Sequence, residues 1–358
     1  MRCCCVCAKY CSAITSHSPH GAPFASRCAA FRAILFFVHC PKREPRRRLA
    51  RGTGSHEIVS KIHTIFRPGR PAINPGGPIF FERRMKICVL ASGSAGNCIY
   101  VASGKTRILV DAGISGRQTV RRLEEIGVSI EAIDAICVSH EHDDHTGGVG
   151  ILYKRHQIPV YANGGTADAL SRRPRLQGLP WRVFTTGAPF SIGDLVIEPF
   201  SIPHDAYEPV GFTLHCEEGR IGIALDVGTP TTLVRERLRG CHALVVEANH
   251  DEHLLQEAPR PWALKQRIRS RQGHLSNRMA AEMLAEIASP ALQQVFLGHL
   301  SEDCNCPILA VRTISEALAE SGHPHIRVCP TYPDRVAEVW DSSVRPPPGC
   351  TENPPIPA

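Results

Sequence analysis

From Met85 onward, apolar residues recur with two distinct periods. Short β-branched runs bounded by Gly, Pro, Asn or Asp predict strands over 87–91, 98–102, 106–110, 133–139, 159–162, 243–248, 295–297 and 326–329. Two further segments read as hairpins: 191–202, centred on Gly193-Asp194, and 211–225, turning at Glu218-Gly219. Helical spacing marks 118–126, with Val120, Leu123 and Ile126 on one face, and then 148–156, 230–238, 261–269, 277–287 and 307–319. Residues 163–190 read as a short helix and a loop rich in Arg and Pro. Strands come first in blocks and later alternate with helices. That order predicts an α/β fold of two sheets packed face to face with helices outside, an αββα sandwich.

The chain before this pattern is different in kind. Residues 1–84 show no sustained period and carry 15 Lys and Arg against 3 acidic residues. Residues 85–358 carry 26 against 31, so the overall charge of +7 belongs to the N-terminal stretch, not to the folded part. Such a segment cannot bury enough apolar surface to offset its ordering entropy, and it reads as a disordered basic extension. Met85 stands directly before the first strand, where an initiator would, so the extension reads as one that the translated protein can lack. The folded domain is expected over 85–340, with a Pro-rich disordered tail over 341–358. Seven of the 16 Cys precede residue 41, and the others lack the regular pairing of a disulfide framework. Reduced thiols in a cytoplasmic protein are expected. No apolar run is long enough to span a bilayer, so no membrane partner is expected.

Where the 133–139 strand ends, the chain reads His140-Glu141-His142-Asp143-Asp144-His145. Three imidazoles and these carboxylates would be costly to bury unpaired in so short a stretch. Divalent-metal ligation is the economical explanation, because imidazole nitrogen and carboxylate oxygen are the donors zinc and manganese accept. Alternate residues of an extended segment share a side, so His140 and His142 reach one ion, and Asp144 and His145 turn towards a second. Two ions need about six or seven donors, so others must arrive from later strand ends. His204, Asp226 and His299 each close an apolar run. The expected set is His140, His142 and His204 on one ion, Asp144, His145 and His299 on the other, and Asp226 between them. His250 is similarly placed but is given no role.

This arrangement resembles the metallo-β-lactamase superfamily over about residues 85–335, with HEHDDH standing where that family carries HxHxDH. Within it the chain is similar to the bacterial WalJ/YycJ branch. The closer match rests on Ser92-Gly93-Ser94 with Gly96-Asn97, Asp111-Ala112-Gly113 closing the 106–110 strand, Pro203-His204-Asp205-Ala206, Glu247-Ala248-Asn249-His250-Asp251, Gly273-His274-Leu275-Ser276-Asn277 and His299-Leu300-Ser301. Cys304-Asn305-Cys306 departs from the Asn pairs that many relatives carry there. The resemblance implies the metallo-β-lactamase αββα sandwich and two divalent ions, Zn²⁺ or alternatively Mn²⁺. It implies a metal-dependent DNA exonuclease acting from the 5′ end. A related branch of cyclic phosphodiesterases implies His274 as a phosphate contact or proton donor and Asp111 as a carboxylate that buttresses HEHDDH.

The expected chemistry is phosphodiester hydrolysis by a hydroxide between the two ions, oriented by Asp144 and Asp226, with His274 stabilising charge or protonating the leaving oxygen. Hydrolysis of a small cyclic phosphate, or of a lactone or thioester, would use the same donors. A non-catalytic sensor would be expected to have lost some of them. DNA binding normally needs a Lys/Arg surface. The candidates here are Arg117, Arg121, Arg122, Arg172, Arg173, Arg175, Lys265, Arg267, Arg269 and Arg271, and no aromatic stacking platform stands out. Nothing in the sequence indicates an oligomeric state.

Overall fold

A computed structural model of the chain describes residues 84–344. The extension expected over 1–84, Arg84 apart, and residues 345–358 of the expected tail lie outside the described residues. Six strands come first: β1 (Lys86–Ala91), β2 (Cys98–Ala102), β3 (Arg107–Val110), β4 (Ala135–Cys137), β5 (Val160–Asn163) and β6 (Arg182–Phe184). Seven follow: β7 (Phe190–Ile192), β8 (Leu195–Ser201), β9 (Val210–Cys216), β10 (Gly219–Ala224), β11 (Ala243–Glu247), β12 (Gln294–Gly298) and β13 (Arg327–Pro330). The chain then returns to the first sheet as β14 (Trp340–Asp341).

The two sheets run β14-β1-β2-β3-β4-β5-β6 and β13-β12-β11-β10-β9-β8-β7. Each is half antiparallel and half parallel. β3 to β6 pair parallel in one sheet, and β10 to β13 pair parallel in the other.

The alternation of side chains along a strand decides the layers. Ile87 and Val89 of β1, Ile99 and Val101 of β2, and Ile108 and Val110 of β3 face inward. They meet Ile197, Phe212, Leu214, Ile221, Val245 and Phe296 of the second sheet. The alternate residues Cys88, Leu90, Tyr100 and Leu109 face outward. They are covered by Leu123 of α1 (Gly116–Glu125), Leu152 of α3 (Val149–His156) and Leu170 of α4 (Gly164–Ser171). On the far side, Leu244, Val246, Val295 and Leu297 are covered by α5 (Thr232–Leu238), α8 (Asn277–Ile287) and α9 (Pro307–Glu320). The layers are therefore α, β, β, α.

The fold departs from the expected elements in four places. The Arg/Pro-rich loop holds β6, two of whose three residues are exposed, so no apolar run announced it. A short helix, α6 (Glu252–Glu257), follows an Asp251 cap whose side chain accepts from His253 and Leu254 N–H. The segment 143–146, covered by no expected helix or strand, makes a helical turn, α2 (Asp143–Thr146). Asp341 pairs with Lys86 in β14, and Ser342 Oγ accepts from Met85 N, which carries the folded chain beyond the Trp340 boundary. One candidate of the basic surface also changes role. Arg122 is buried in α1 and donates to the carbonyls of Leu90 and Pro333.

Candidate metal centre

The expected donors arrive at one end of the sandwich, mostly from the carboxyl ends of parallel strands, where α/β sheets gather ligands. β3 runs into Asp111, β4 into His140, β8 into His204, β10 into Asp226 and β12 into His299. Three of these residues, Asp111 (φ 60°), Asp226 (φ 55°) and His299 (φ 53°), hold left-handed backbone. That conformation costs a non-glycine residue on the order of 1–3 kcal/mol and persists where the surroundings impose it. Here the surroundings are hydrogen bonds. Ser139 N and Oγ donate to the Asp111 carboxylate, at 2.8 and 2.9 Å. Ser92 Oγ accepts from His299 N at 2.8 Å, and Asn249 Nδ2 donates to His299 O at 2.8 Å.

The HEHDDH segment is docked backbone to backbone. Asn97 N donates to Asp144 O at 2.7 Å, Ala112 N to His145 O at 2.9 Å, and Gly113 N to Asn97 O at 2.8 Å. A Cβ on Gly113 would lie 1.6 Å from Asp144 O, so only glycine lets the two segments close.

Within this frame the side chains form two adjoining groups. One ligand atom each from His140, His142 and His204 lies within 4.8 Å of the others. His142 Nδ1 is 3.1 Å from His140 Nε2 and 3.3 Å from His204 Nε2. Asp226, Glu247, His274 and His299 converge in the same way, and His140, His145 and Asp226 form a third set that links the two. Asp226 Oδ2 is 2.6 Å from His145 Nε2 and 3.9 Å from His140 Nε2, while its Oδ1 is 2.9 Å from His299 Nδ1. Asp144 Oδ2 is 3.4 Å from His299 Nε2 and 3.7 Å from His145 Nε2. All seven residues expected as ligands are thus brought together. His145 Nδ1 meets Asp111 Oδ2 at 2.7 Å, which fixes the ring with Nε2 towards Asp226. His250 is buried in a bridge with Ser276 and joins none of the donor groups.

The residue that sequence reasoning left without a role is Glu247. It is fully buried at the end of β11. Its Oε1 lies 2.7 Å from His274 Nδ1 and 3.0 Å from His299 Nδ1, and its Oε2 accepts from Val227 N and Leu275 N. The signal was present in the sequence, since a carboxylate closing an otherwise wholly apolar strand must meet strong partners.

The two groups differ electrostatically. Burial, then the neighbouring His145 ring, pushes His140 well below the usual imidazole value, and burial lowers His204. Around the carboxylates the direction reverses. Burial disfavours charge on His145, but Asp111 and Asp226 outweigh it and raise its pKa well above the usual value. Asp226, Asp144 and Glu247 do the same for His299 against its burial. His274 is raised to about 9, Glu247 and Asp226 overcoming burial. Burial opposes charge on Asp226, yet His299 and His145 hold it well below the ordinary carboxylate range.

The chemistry of this set fits a cation. Asp226 Oδ2 and His299 Nε2 are buried without an aligned hydrogen bond, although both face charged neighbours. Buried polar atoms are normally satisfied, and imidazoles with carboxylates at these separations fit divalent-metal ligation. The donor set binds a divalent metal.

Comparison with known proteins agrees with this geometry. The model of the β-lactamase superfamily domain matches residues 106–299. The chain is 35% identical over 237 residues to the exodeoxyribonuclease YycJ of Bacillus anthracis, covering 65% of this chain and 89% of that protein. It is 34% identical over 243 residues to the exodeoxyribonuclease WalJ of Streptococcus pneumoniae, covering 67% and 90%. Among solved structures, the metallo-β-lactamase fold protein YhfI from Bacillus subtilis superposes with a TM-score of 0.55 at 17% identity, covering 73% of this chain and all of that one.

Proposed function

Because the chain belongs to the metallo-β-lactamase superfamily, we propose that this site is the active site of a metal-dependent phosphodiesterase that works as a DNA exonuclease from the 5′ end. The observation that carries the reading is the convergence of seven nitrogen- and oxygen-bearing donors at the strand ends of a chain so similar to two exodeoxyribonucleases.

His140, His142 and His204 would hold one cation, and Asp144, His145 and His299 a second, with Asp226 between them. The native metal on this reading is Zn²⁺, with Mn²⁺ as the alternative. Bound divalent cations would supply Lewis-acid activation of water and neutralisation of phosphate charge. The protein's own groups supply the rest. Asp111 fixes the His145 ring and Glu247 fixes the rings of His274 and His299, the kind of support that orients ligands and raises their basicity. His274 Nδ1 is committed to Glu247, so Nε2 is the atom left to donate a proton to the leaving oxygen. Asp144 and Asp226 orient the attacking water. No helix of the described residues is long and apolar enough to cross a membrane. Cys88, Cys98, Cys137 and Cys241 are buried thiols, which suits a reducing, cytoplasmic setting.

The test is turnover by the full chain loaded with Zn²⁺ or Mn²⁺ on 5′-labelled DNA, bis-p-nitrophenyl phosphate and a lactone, beside His142→Ala. Release of label as mononucleotides is expected, together with loss of both phosphodiesterase activities in the variant. Turnover of the lactone alone would overturn the reading.

A further inference from the structure

We propose that Glu208 is a positioning residue for the first cation: it locks the loop that carries His204 to the opposite sheet and so sets that ring against His140 and His142. The inference rests on the metal assignment proposed above and adds to it the group that fixes the spacing of one triad.

That triad is split between the two sheets. His140 and His142 stand on the segment that leaves β4 in the first sheet, whereas His204 stands on the loop 202–209 between β8 and β9 in the second. Their nitrogens come within 4.8 Å of one another only if the loop reaches across by the right amount. Ile202 N donates to Pro209 O at 3.1 Å, which closes the base of the loop but does not place its tip.

Three contacts place the tip. Arg267 Nε of α7 (Trp262–Ile268) donates to Asp205 Oδ2 at 2.6 Å. In the chain α7 lies between β11 and β12, both strands of the second sheet, so this bond does not span the two sheets. Tyr207 N donates to Glu141 Oε1 in HEHDDH at 3.0 Å. Glu208 holds most. Its Oε2 accepts from Gly165 N at 2.9 Å, its Oε1 from Thr186 Oγ1 at 2.6 Å, and its carbonyl from Asn163 Nδ2 at 2.7 Å. Asn163 ends β5, Gly165 lies in the first turn of α4, and Thr186 follows β6. One residue of the second sheet's loop is thus bonded to three points at the edge of the first sheet.

Local chemistry favours this hold. The first-turn N–H groups of a helix have no partner within it, and a carboxylate is favoured there. Asn163 Oδ1 takes Thr166 N at 3.0 Å and Glu208 takes Gly165 N, so the two divide the donors of α4. A Cβ on Gly165 would lie 2.8 Å from Glu208 Cβ and 2.9 Å from Oε2. Gly165 does not hold left-handed backbone, so glycine stands there to make room for Glu208, not to permit a turn.

The experiment is equilibrium uptake of Zn²⁺ by the full chain against a chromophoric chelator, with the urea midpoint of the metal-free protein measured alongside. His204→Ala marks the step that belongs to the first cation. Glu208→Ala should weaken that step by about 10- to 100-fold and leave the other within about twofold. Glu208→Gln keeps the length and one acceptor oxygen, so it should lose less. Gly165→Ala separates position from folding. Alanine suits a helix better than glycine, so the urea midpoint should stay at or above wild type while the marked step still weakens. The marked step within twofold of wild type in either Glu208→Ala or Gly165→Ala would overturn the proposal. So would equal weakening of both steps, or weakening in Gly165→Ala that comes only with a lowered midpoint. Turnover of bis-p-nitrophenyl phosphate by wild type is the separate readout of the parent reading. Its absence alongside these metal effects would sink the phosphodiesterase and leave the role of Glu208 standing.

Discussion

At one end of the sandwich Asp111, Asp226 and His299 hold left-handed backbone, and Asp226 Oδ2 and His299 Nε2 are buried without aligned hydrogen bonds. At the other end, the turn between β2 and β3 meets the turn between β7 and β8 through one carboxylate. Asp194 accepts from Ser103 Oγ, Thr106 Oγ1 and Lys105 N, and its own N–H donates to Thr106 Oγ1. The same strands run through both ends, so the difference is one of local construction. The closed end clips the sheets together with satisfied groups. The open end gathers charged donors and left-handed backbone at one place. Strained, unsatisfied geometry persists where the surrounding structure over-determines it. In this chain that structure is the four-layer packing beneath the site and the clip beyond it.

The comparison breaks most visibly at Asp226, which touches His140, His145, His274 and His299. Asp226→Asn keeps the shape and removes the charge between the two donor groups. Turnover of bis-p-nitrophenyl phosphate should fall about a thousandfold or more, the several kcal/mol that metal-assisted stabilisation supplies. Activity within tenfold of wild type would mean that the centre of the open end lies elsewhere. Glu247→Gln sharpens the contrast, because it alters a group that supports His274 and His299 from beneath. Metal titration should show affinity lower by about 10- to 100-fold, with the fold intact by circular dichroism. An unchanged affinity would reduce Glu247 to a filler of the β11 strand end.

What the sequence disclosed follows from the same contrast. Strong periods belong to strands with a buried face, so β1, β2, β3, β8, β9 and β11 were readable from their apolar runs. β6, half in solvent, and the two-residue β14 carry no such signature, and only pairing creates them. In the site, HEHDDH was legible because chemistry-bearing residues crowd together in sequence. Glu247 was not, because its partners Val227, His274 and His299 come from three distant segments. Arg122 was misread because a lone arginine on a helix gives no hint that it is buried and donating to carbonyls.

The smallest expected effect probes the closed end. Burial opposes charge on Asp194, yet hydrogen bonds from the Ser103 and Thr106 hydroxyls and from backbone N–H groups together hold it below the ordinary carboxylate value. A carboxyl whose folded pKa is depressed adds stability that is present above its unfolded value of about 4 and is lost as pH falls through the folded one. Asp194→Asn should therefore lower stability by about 1 kcal/mol at pH 7, the low end for charged hydrogen bonds because the group is exposed. The gap between variant and wild type should close below pH 4, as the wild-type carboxyl takes up its proton. Urea midpoints at pH 7 and pH 3 measure it, and turnover at pH 7 and 25 °C should match wild type because Asp194 lies at the far end of the strands from the donors. A gap that persists at pH 3 would assign the clip to the shape of the turn, where Gly193 (φ +58°) packs against Thr106, and not to the charge. Loss of turnover without loss of stability would show that the two ends are coupled through the strands after all, and would undo the contrast between them.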